Sequence, residues 1–252
     1  MRLLTCAACA GLLLLMAGCA PALPGLGSGG LTPKGRYDTS VGGSARIPVG
    51  RLRKSSREAL QPFGYQSPSV YDGVIPVAAA RYGLREDWDM GLAVLGTTLR
   101  MDARHAIPWH QGLLQTAWLI GGDVYAGWID DTLRRDDGSD VREVDALRAG
   151  MTLPATLGLR VAGLYEAWVG ARAGFEYAGG DLRMADQQRQ TVDLWAVRGG
   201  LMLGVGLGFR YVHVLIELNT DYEHWFASVD DRDSDHGGVV LTPAFRLRIR
   251  WP

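Results

Sequence analysis

The sequence predicts an all-β fold, an antiparallel transmembrane β-barrel of ten strands with eight as the alternative count, and three observations predict it. From Val239 to Trp251 every odd position is apolar, whereas Thr242, Arg246, Arg248 and Arg250 stand on the even face. Strands that meet lipid outside and a polar interior inside alternate in this way. The same period of two recurs along most of the chain, and no run after Met16 is long and apolar enough for a membrane-spanning helix. Backbone groups in lipid must be paired internally, so a chain that spans without apolar helices closes into a barrel.

The elements follow in order. Met1-Arg2 is a short basic start, Leu3 to Met16 an apolar core, and Met16-Ala17-Gly18-Cys19 a small-residue cleavage site. Together they read as an export signal over residues 1–18. The last four residues also resemble the lipobox of bacterial lipoproteins. That resemblance implies a mature chain beginning at Cys19, with diacylglycerol and a fatty acyl group such as palmitate attached there. An ordinary cleaved signal that leaves Cys19 as a free thiol stays open. Ala20 is not the aspartate that retains similar lipoproteins in the inner membrane. Residues 19–34, rich in Gly and Pro, read as a flexible periplasmic tether, and 35–252 as the barrel.

Arg36 to Val49 is a first strand, with Tyr37, Val41 and Ile47 on one face and Asp38, Ser40 and Arg46 on the other. Gly50 to Gly73 loses the alternation and reads as a long loop or partial plug. Val74 to Tyr82 is the second strand, turning at Gly83 to Asp87. Outward parity then flips near Gly96-Thr97: Trp88, Met90, Leu92 and Val94 are even, Leu99, Met101 and Ala103 odd. A bulge would do this, and so would a two-residue type II′ hairpin with Gly first, since Leu95 and Thr98 then share a face; the turn chemistry favours the hairpin. A turn at Ala106 to Trp109 leads into a strand through Ile120. Polar loops are expected at Asp130 to Asp140, Gly179 to Gln190 and Ala227 to Gly238. They connect strands over Leu147 to Val161, Tyr165 to Tyr177, Trp195 to Val205 and Val212 to Glu223, with Pro154 marking a weak point. The terminal strand completes ten.

Short turns at Gly83 to Asp87, Ala106 to Trp109, Gly163-Leu164 and Gly206 to Gly208 fall at the end that holds the C-terminus, and the long polar loops at the other. Bacterial barrels place short turns in the periplasm and long loops outside. Trp88, Trp109, Tyr125, Trp128, Tyr165, Tyr177, Tyr222, Trp225 and Trp251 lie near strand ends, as interface girdles require.

Alternation turns many charges inward. Arg246, Arg248 and Arg250 of the last strand face the lumen beside the row Glu217, Asp221 and Glu223, with Arg148, Arg160, Arg172 and Glu176 on the middle strands. A narrow ten-stranded lumen favours an ion-paired filling over an arginine-lined pore. With Cys6 and Cys9 in the signal, no disulfide or thiolate metal site is expected, and a net charge of −1 offers no attraction to nucleic acid. Asp231, Asp233 and Asp235 have the spacing that opens a calcium loop, but His236 stands where glycine is needed and Thr242 where glutamate is needed. No metal site, catalytic residue or small-molecule cofactor is expected. Asp193, Asp221, Glu223 and His224 gather near the outer strand ends, where carboxylates and a histidine could activate water. Alternation turns His224 away from Asp221 and Glu223, however, so a rim hydrolase acting on protein or lipid is the alternative, not the first reading. A lipid-anchored lipocalin-like carrier is a second alternative, which needs the faces reversed.

Taken together, the chain resembles outer-membrane β-barrel lipoproteins of double-membraned bacteria. The residues that carry the resemblance are the lipobox ending in Cys19, Leu31-Thr32-Pro33-Lys34-Gly35, the Ala80-Arg81-Tyr82-Gly83-Leu84 turn with Asp89 and Gly91, and the final strand. It implies the outer membrane as location. It also implies membrane lipid, the barrel-insertion machinery and the lipoprotein-sorting machinery as partners, and a structural or weakly conducting role.

Overall fold

The computed structural model describes residues 23–49, 65–66, 73–135, 141–183, 189–209, 211–229 and 232–251. Its strands are β1 (Tyr37–Val49), β2 (Tyr65–Gln66), β3 (Gly73–Arg85), β4 (Trp88–Leu95), β5 (Thr98–His110), β6 (Leu114–Arg135), β7 (Val141–Val161), β8 (Tyr165–Arg183), β9 (Arg189–Phe209), β10 (Val212–Val229) and β11 (Arg232–Trp251). All pairings in the sheet are antiparallel. Each barrel strand pairs with its chain neighbours, and β1 closes the ring against β11, with Tyr37 opposite Trp251. The two-residue β2 only adds to the far end of β6. The remainder is a closed barrel of ten strands.

The period of two decides which way each side chain faces. Along β11, Val240, Thr242, Ala244, Arg246, Arg248 and Arg250 are buried, while Val239, Phe245, Leu247 and Trp251 are exposed. β9 and β10 do the same, with Leu201, Leu203, Val205, Val214 and Ile216 outside. The protein thus inverts an ordinary core, with aliphatic side chains outside and charge inside.

The parity flip at residue 96 is the predicted hairpin. Leu95 pairs with Thr98, Gly96 has φ of 58° and Thr97 keeps a negative φ, as the type II′ form requires. This hairpin makes the strand count even. It also ends low: Leu95 lies opposite Val77, so β4 has 8 residues where β6 has 22.

Three differences from the sequence reading have physical causes. The turn expected at Ala106 to Trp109 lies instead at 111–113; β5 continues to His110, and Pro108, which has no N–H to give, marks only a shift in pairing. The polar stretches read as loops are largely strand: β6 runs to Arg135, β8 to Arg183 and β10 to Val229, with β11 starting at Arg232. Beyond a lipid belt both faces of a hairpin can be polar, so the apolar period vanishes while the hydrogen-bond ladder continues. The backbone of Asp233 and Asp235 is accordingly extended, opposite Ser228 and Phe226, and does not wrap an ion. Tyr125 and Trp225, assigned to the girdle, point inward instead, their polar atoms bonded to Glu176 and Glu223. The expected signal, the lipidated Cys19 and most of the 50–73 segment lie outside the described residues. Pro154 interrupts the ladder to β6 only locally, and pairing resumes at Thr152 in the same register.

Gly96→Ala places a Cβ on a left-handed residue, and this is expected to cost about 1 kcal/mol. The check is a lower urea midpoint of unfolding in detergent micelles, with Gly43→Ala, where a Cβ makes only ordinary van der Waals contact and φ is not positive, as the control.

Candidate functional site

The lumen is the candidate site, and it is occupied by the protein's own N-terminal segment. Residues 19–34 were expected to be a solvated tether. Within the described part, Leu23 to Lys34, the stretch Leu23 to Thr32 is instead largely buried inside the barrel, with Leu23, Leu26 and Leu31 each under a tenth exposed. Low complexity and the lack of an apolar period concealed this. A segment that packs as an inserted strand without a partner ladder needs small residues and side-chain hydrogen-bond partners, not an apolar face.

Those partners come from the wall, donors and acceptors both. The amide of Gly27 donates to Glu217 Oε2 at 2.9 Å, that of Gly25 donates to the same carboxylate, and those of Gly29 and Thr32 donate to Glu166 (3.2 Å) and Asp89 (2.9 Å). The segment's carbonyls accept from arginines: Leu23 from Arg172 at 2.8 Å, Pro24 from Arg100, Gly27 from Arg246 at 3.0 Å, and Leu31 from Arg160 at 3.4 Å. Arg104 donates to the Ser28 hydroxyl at 2.9 Å. Leu23 and Leu26 complete a small apolar cluster with Ile75, Val77, Ala93, Leu95 and Tyr125, where the low hairpin meets the lumen.

Close approach explains the glycines. A Cβ on Gly29 would meet the Leu159 carbonyl oxygen at 2.3 Å, and one on Gly158 of the wall would meet the Gly29 oxygen at 2.6 Å. Plug and wall therefore touch backbone to backbone. Gly27 and Gly204 likewise leave room for the buried Trp168 ring, whose atoms a Cβ at either position would overlap at 2.2 Å. Between Leu26, Gly27 and Ser28 and the wall residues Arg81, Asp102 and Arg246 there remains a cavity of about 20 Å³, room for a single water.

The ten side chains singled out from the sequence all lie in this interior. Arg246 meets Glu217 at 3.2 Å, Arg172 meets Asp221, and Arg148 meets Glu176 at 2.5 Å. Glu223 pairs with Arg46 at 2.5 Å, and Arg160 lies 3.2 Å from Glu166. Arg248 and Arg250 pair with acids outside the β10 row. Arg248 stands opposite His213, below Glu217, and crosses to Glu166 on β8 at 2.7 Å, while Arg250 turns to Asp38 on β1 at 3.0 Å. Sequence reasoning did not include in this network Arg100 with Asp123 (2.7 Å), Arg104 and Arg81 with Asp89 (2.6 and 2.8 Å), or Arg198, which pairs with Glu176, although Arg81 and Asp89 carry part of the family resemblance. The inward parity that selected the others applies to them equally. For the plug, the available signal was glycine at every second residue, Gly25, Gly27 and Gly29.

The four rim groups considered for hydrolysis are not brought together. Asp221 and Glu223 point inward into ion pairs. His224 lies outside, with Nε2 3.5 Å from Asp235 and its ring against Phe226, and Asp193 accepts from the Tyr177 hydroxyl at 2.5 Å.

The fold and interior define a class: closed ten-stranded antiparallel barrels with an apolar exterior and a polar, filled lumen. No protein-family model matches the chain, and no curated protein matches it in sequence. Among solved structures it is similar to the outer membrane protease OmpT from Escherichia coli, at 7% identity and a TM-score of 0.48 over 86% of this chain and 96% of that one. It is also similar to the attachment invasion locus protein Ail of Yersinia pestis in complex with sucrose octasulfate, at 12% identity, a TM-score of 0.32, and 86% and 99% coverage. Neisserial surface protein A aligns at 10% identity with a TM-score of 0.32, over 85% and 95% of the two chains.

Removing one partner of a buried ion pair strands the other charge, so Asp221→Ala is expected to destabilise the barrel by about 3–5 kcal/mol. Combining it with Arg172→Met should recover most of that loss, leaving about 1 kcal/mol for the bond to the Leu23 carbonyl. Urea midpoints of the two variants in the same micelle check the pair.

Proposed function

We propose that this protein is a bacterial outer-membrane β-barrel lipoprotein whose lumen is sealed by its own N-terminal segment, a structural barrel that does not conduct. The observation that carries the reading is the inverted core: a belt of exposed aliphatic side chains around a wall whose interior charges are spent on each other and on Leu23 to Thr32. In water such an exterior would aggregate, whereas in a bilayer it is the ordinary outside of a barrel. Aromatic side chains support it. Tyr37, Trp88, Trp109, Tyr165 and Trp251 are exposed near the short-turn end, and Tyr177, Trp195 and Tyr222 near the other, at interface depth. The short turns then face the periplasm. Membrane lipid, the insertion machinery and the lipoprotein-sorting machinery are the partners this reading requires.

The faces speak against the lipocalin-like carrier: a carrier of apolar cargo needs an apolar interior, and this one holds paired arginines and carboxylates around a plug. An arginine-lined pore is likewise disfavoured, because Arg172, Arg246 and Arg160 are bonded to the plug and to acids rather than facing water.

Two measurements test the reading. The full chain in planar bilayers is expected to give no current steps, and Gly27→Val combined with Gly29→Val, which excludes the plug by overlap with the Trp168 ring and the Leu159 carbonyl, is expected to give them; steps from the unaltered protein would refute the seal. Leu203→Arg, a charge on the mid-strand outer face, is expected to cost about 2–4 kcal/mol in folding into lipid vesicles. An unchanged stability there would refute insertion.

A further inference from the structure

Resting on the sealed lumen described above, we propose that the bore is a binding site for a Gly-X-Gly-X-Gly peptide recognised through its main chain, and that such a peptide on a separate molecule occupies it when the protein's own segment is displaced. The division of hydrogen bonds carries this. Among the described residues, the wall bonds the amides of Gly25, Gly27, Gly29 and Thr32 and the carbonyls of Leu23, Pro24, Gly25, Gly27 and Leu31. Its bonds to side chains of that stretch are two, at the Ser28 and Thr32 hydroxyls. Amides and carbonyls are common to every peptide, so bonds to them give affinity while the space around them gives specificity.

That space selects a shape. Leu26 has φ of 53°, and a left-handed residue between two glycines turns the flanking amides to one side, where the two oxygens of Glu217 accept one each. Successive backbone N–H groups in this conformation form a concave nest for an anion, and the wall carboxylate is the anion here. Alternate positions are closed to side chains: a Cβ on Gly25 would overlap Met202 Cε, one on Gly27 the Trp168 ring, and one on Gly29 the Leu159 carbonyl oxygen. The positions between them hold the buried side chains of Leu26 and Ser28. Pro33 to Arg36, which lead into β1, turn at the short-turn mouth with Lys34 and Arg36 exposed, apart from this set of bonds. The covalent link therefore supplies effective concentration rather than recognition, and a separate peptide meets the same groups with less of that advantage.

The test adds a fluorescent peptide with the sequence of residues 23–34 to the full chain carrying Gly27→Val and Gly29→Val in detergent micelles, and reads binding by anisotropy. Saturable binding is expected there and none to the unaltered protein, whose own segment competes; no binding to the variant, or equal binding to both, overturns the proposal. Leu26→Met with Ser28→Thr in the peptide keeps the pattern and is expected to change affinity less than about fivefold. An ester in place of the Leu26–Gly27 peptide bond removes one N–H to Glu217 without adding bulk, and is expected to weaken binding about tenfold or more. A peptide of the same composition that exchanges Leu26 with Gly27 and Ser28 with Gly29 is expected not to bind. Full affinity in the ester or the exchanged peptide overturns main-chain recognition. Current steps of the variant are recorded without peptide, so binding without steps removes the seal and keeps this site, and steps without binding do the reverse. A variant that folds only with the peptide present supports the proposal, and one that stays unfolded with it overturns it.

Discussion

Three carboxylates hold both the wall and the plug, and the remainder of the interior depends on them. Glu217 accepts from Arg246, from Asn219 and from the amides of Gly25 and Gly27. Glu166 accepts from Arg248, Arg160 and the Gly29 amide, and Asp89 from Arg104, Arg81 and the Thr32 amide. An ionised carboxylate offers about four lone-pair sites, and inside a lumen without bulk water each one left empty costs free energy. Guanidinium groups alone leave part of that capacity unused. Main-chain amides of a threaded segment use the rest, so each node is satisfied only when wall and plug are both in place.

The choice of cation follows from the same constraint. Lysine occurs only at positions 34 and 54 of the chain, while arginine supplies the interior. A planar fork with five donors can bind a carboxylate and a plug carbonyl at once, as Arg172 does with Asp221 and Leu23, and Arg246 with Glu217 and Gly27. An ammonium has fewer donors and a stronger hold on water. Crossing pairs such as Arg248 to Glu166 join strands that are not neighbours in the sheet, and so brace the ring across its bore.

How much of this was legible in the sequence depends on what each residue faces. Alternation read the lipid belt well: the outward set of β11, the inward arginines and the hairpin at Gly96 all follow from parity and turn chemistry. It failed where lipid ends. Arg135, Arg183 and Arg232 stand in strands that composition reads as loop, because a ladder needs only backbone groups. It also misplaced Tyr125 and Trp225, whose aromatic character suggested an interface although their parity already put them with Glu176 and Glu223. The plug was the hardest to read, since Pro21 to Pro33 has the composition of a linker. Only the partners supplied by distant strands give it a fixed place, and no local pattern encodes them.

In the proposed reading the segment from Leu23 to Thr32 fills the part of the bore that its wall partners line. The ion pairs themselves argue that filling is the native condition. Were the plug absent, Glu217 and Glu166 would lose amide donors, and Arg172, Arg100 and Arg246 would lose acceptors, all within one narrow bore. A water-filled pore could satisfy these groups, but it would have no use for Gly158 standing open opposite the Gly29 carbonyl, or for Gly204 opening beside Trp168. Small residues at points of backbone contact are explained by a chain segment that belongs there.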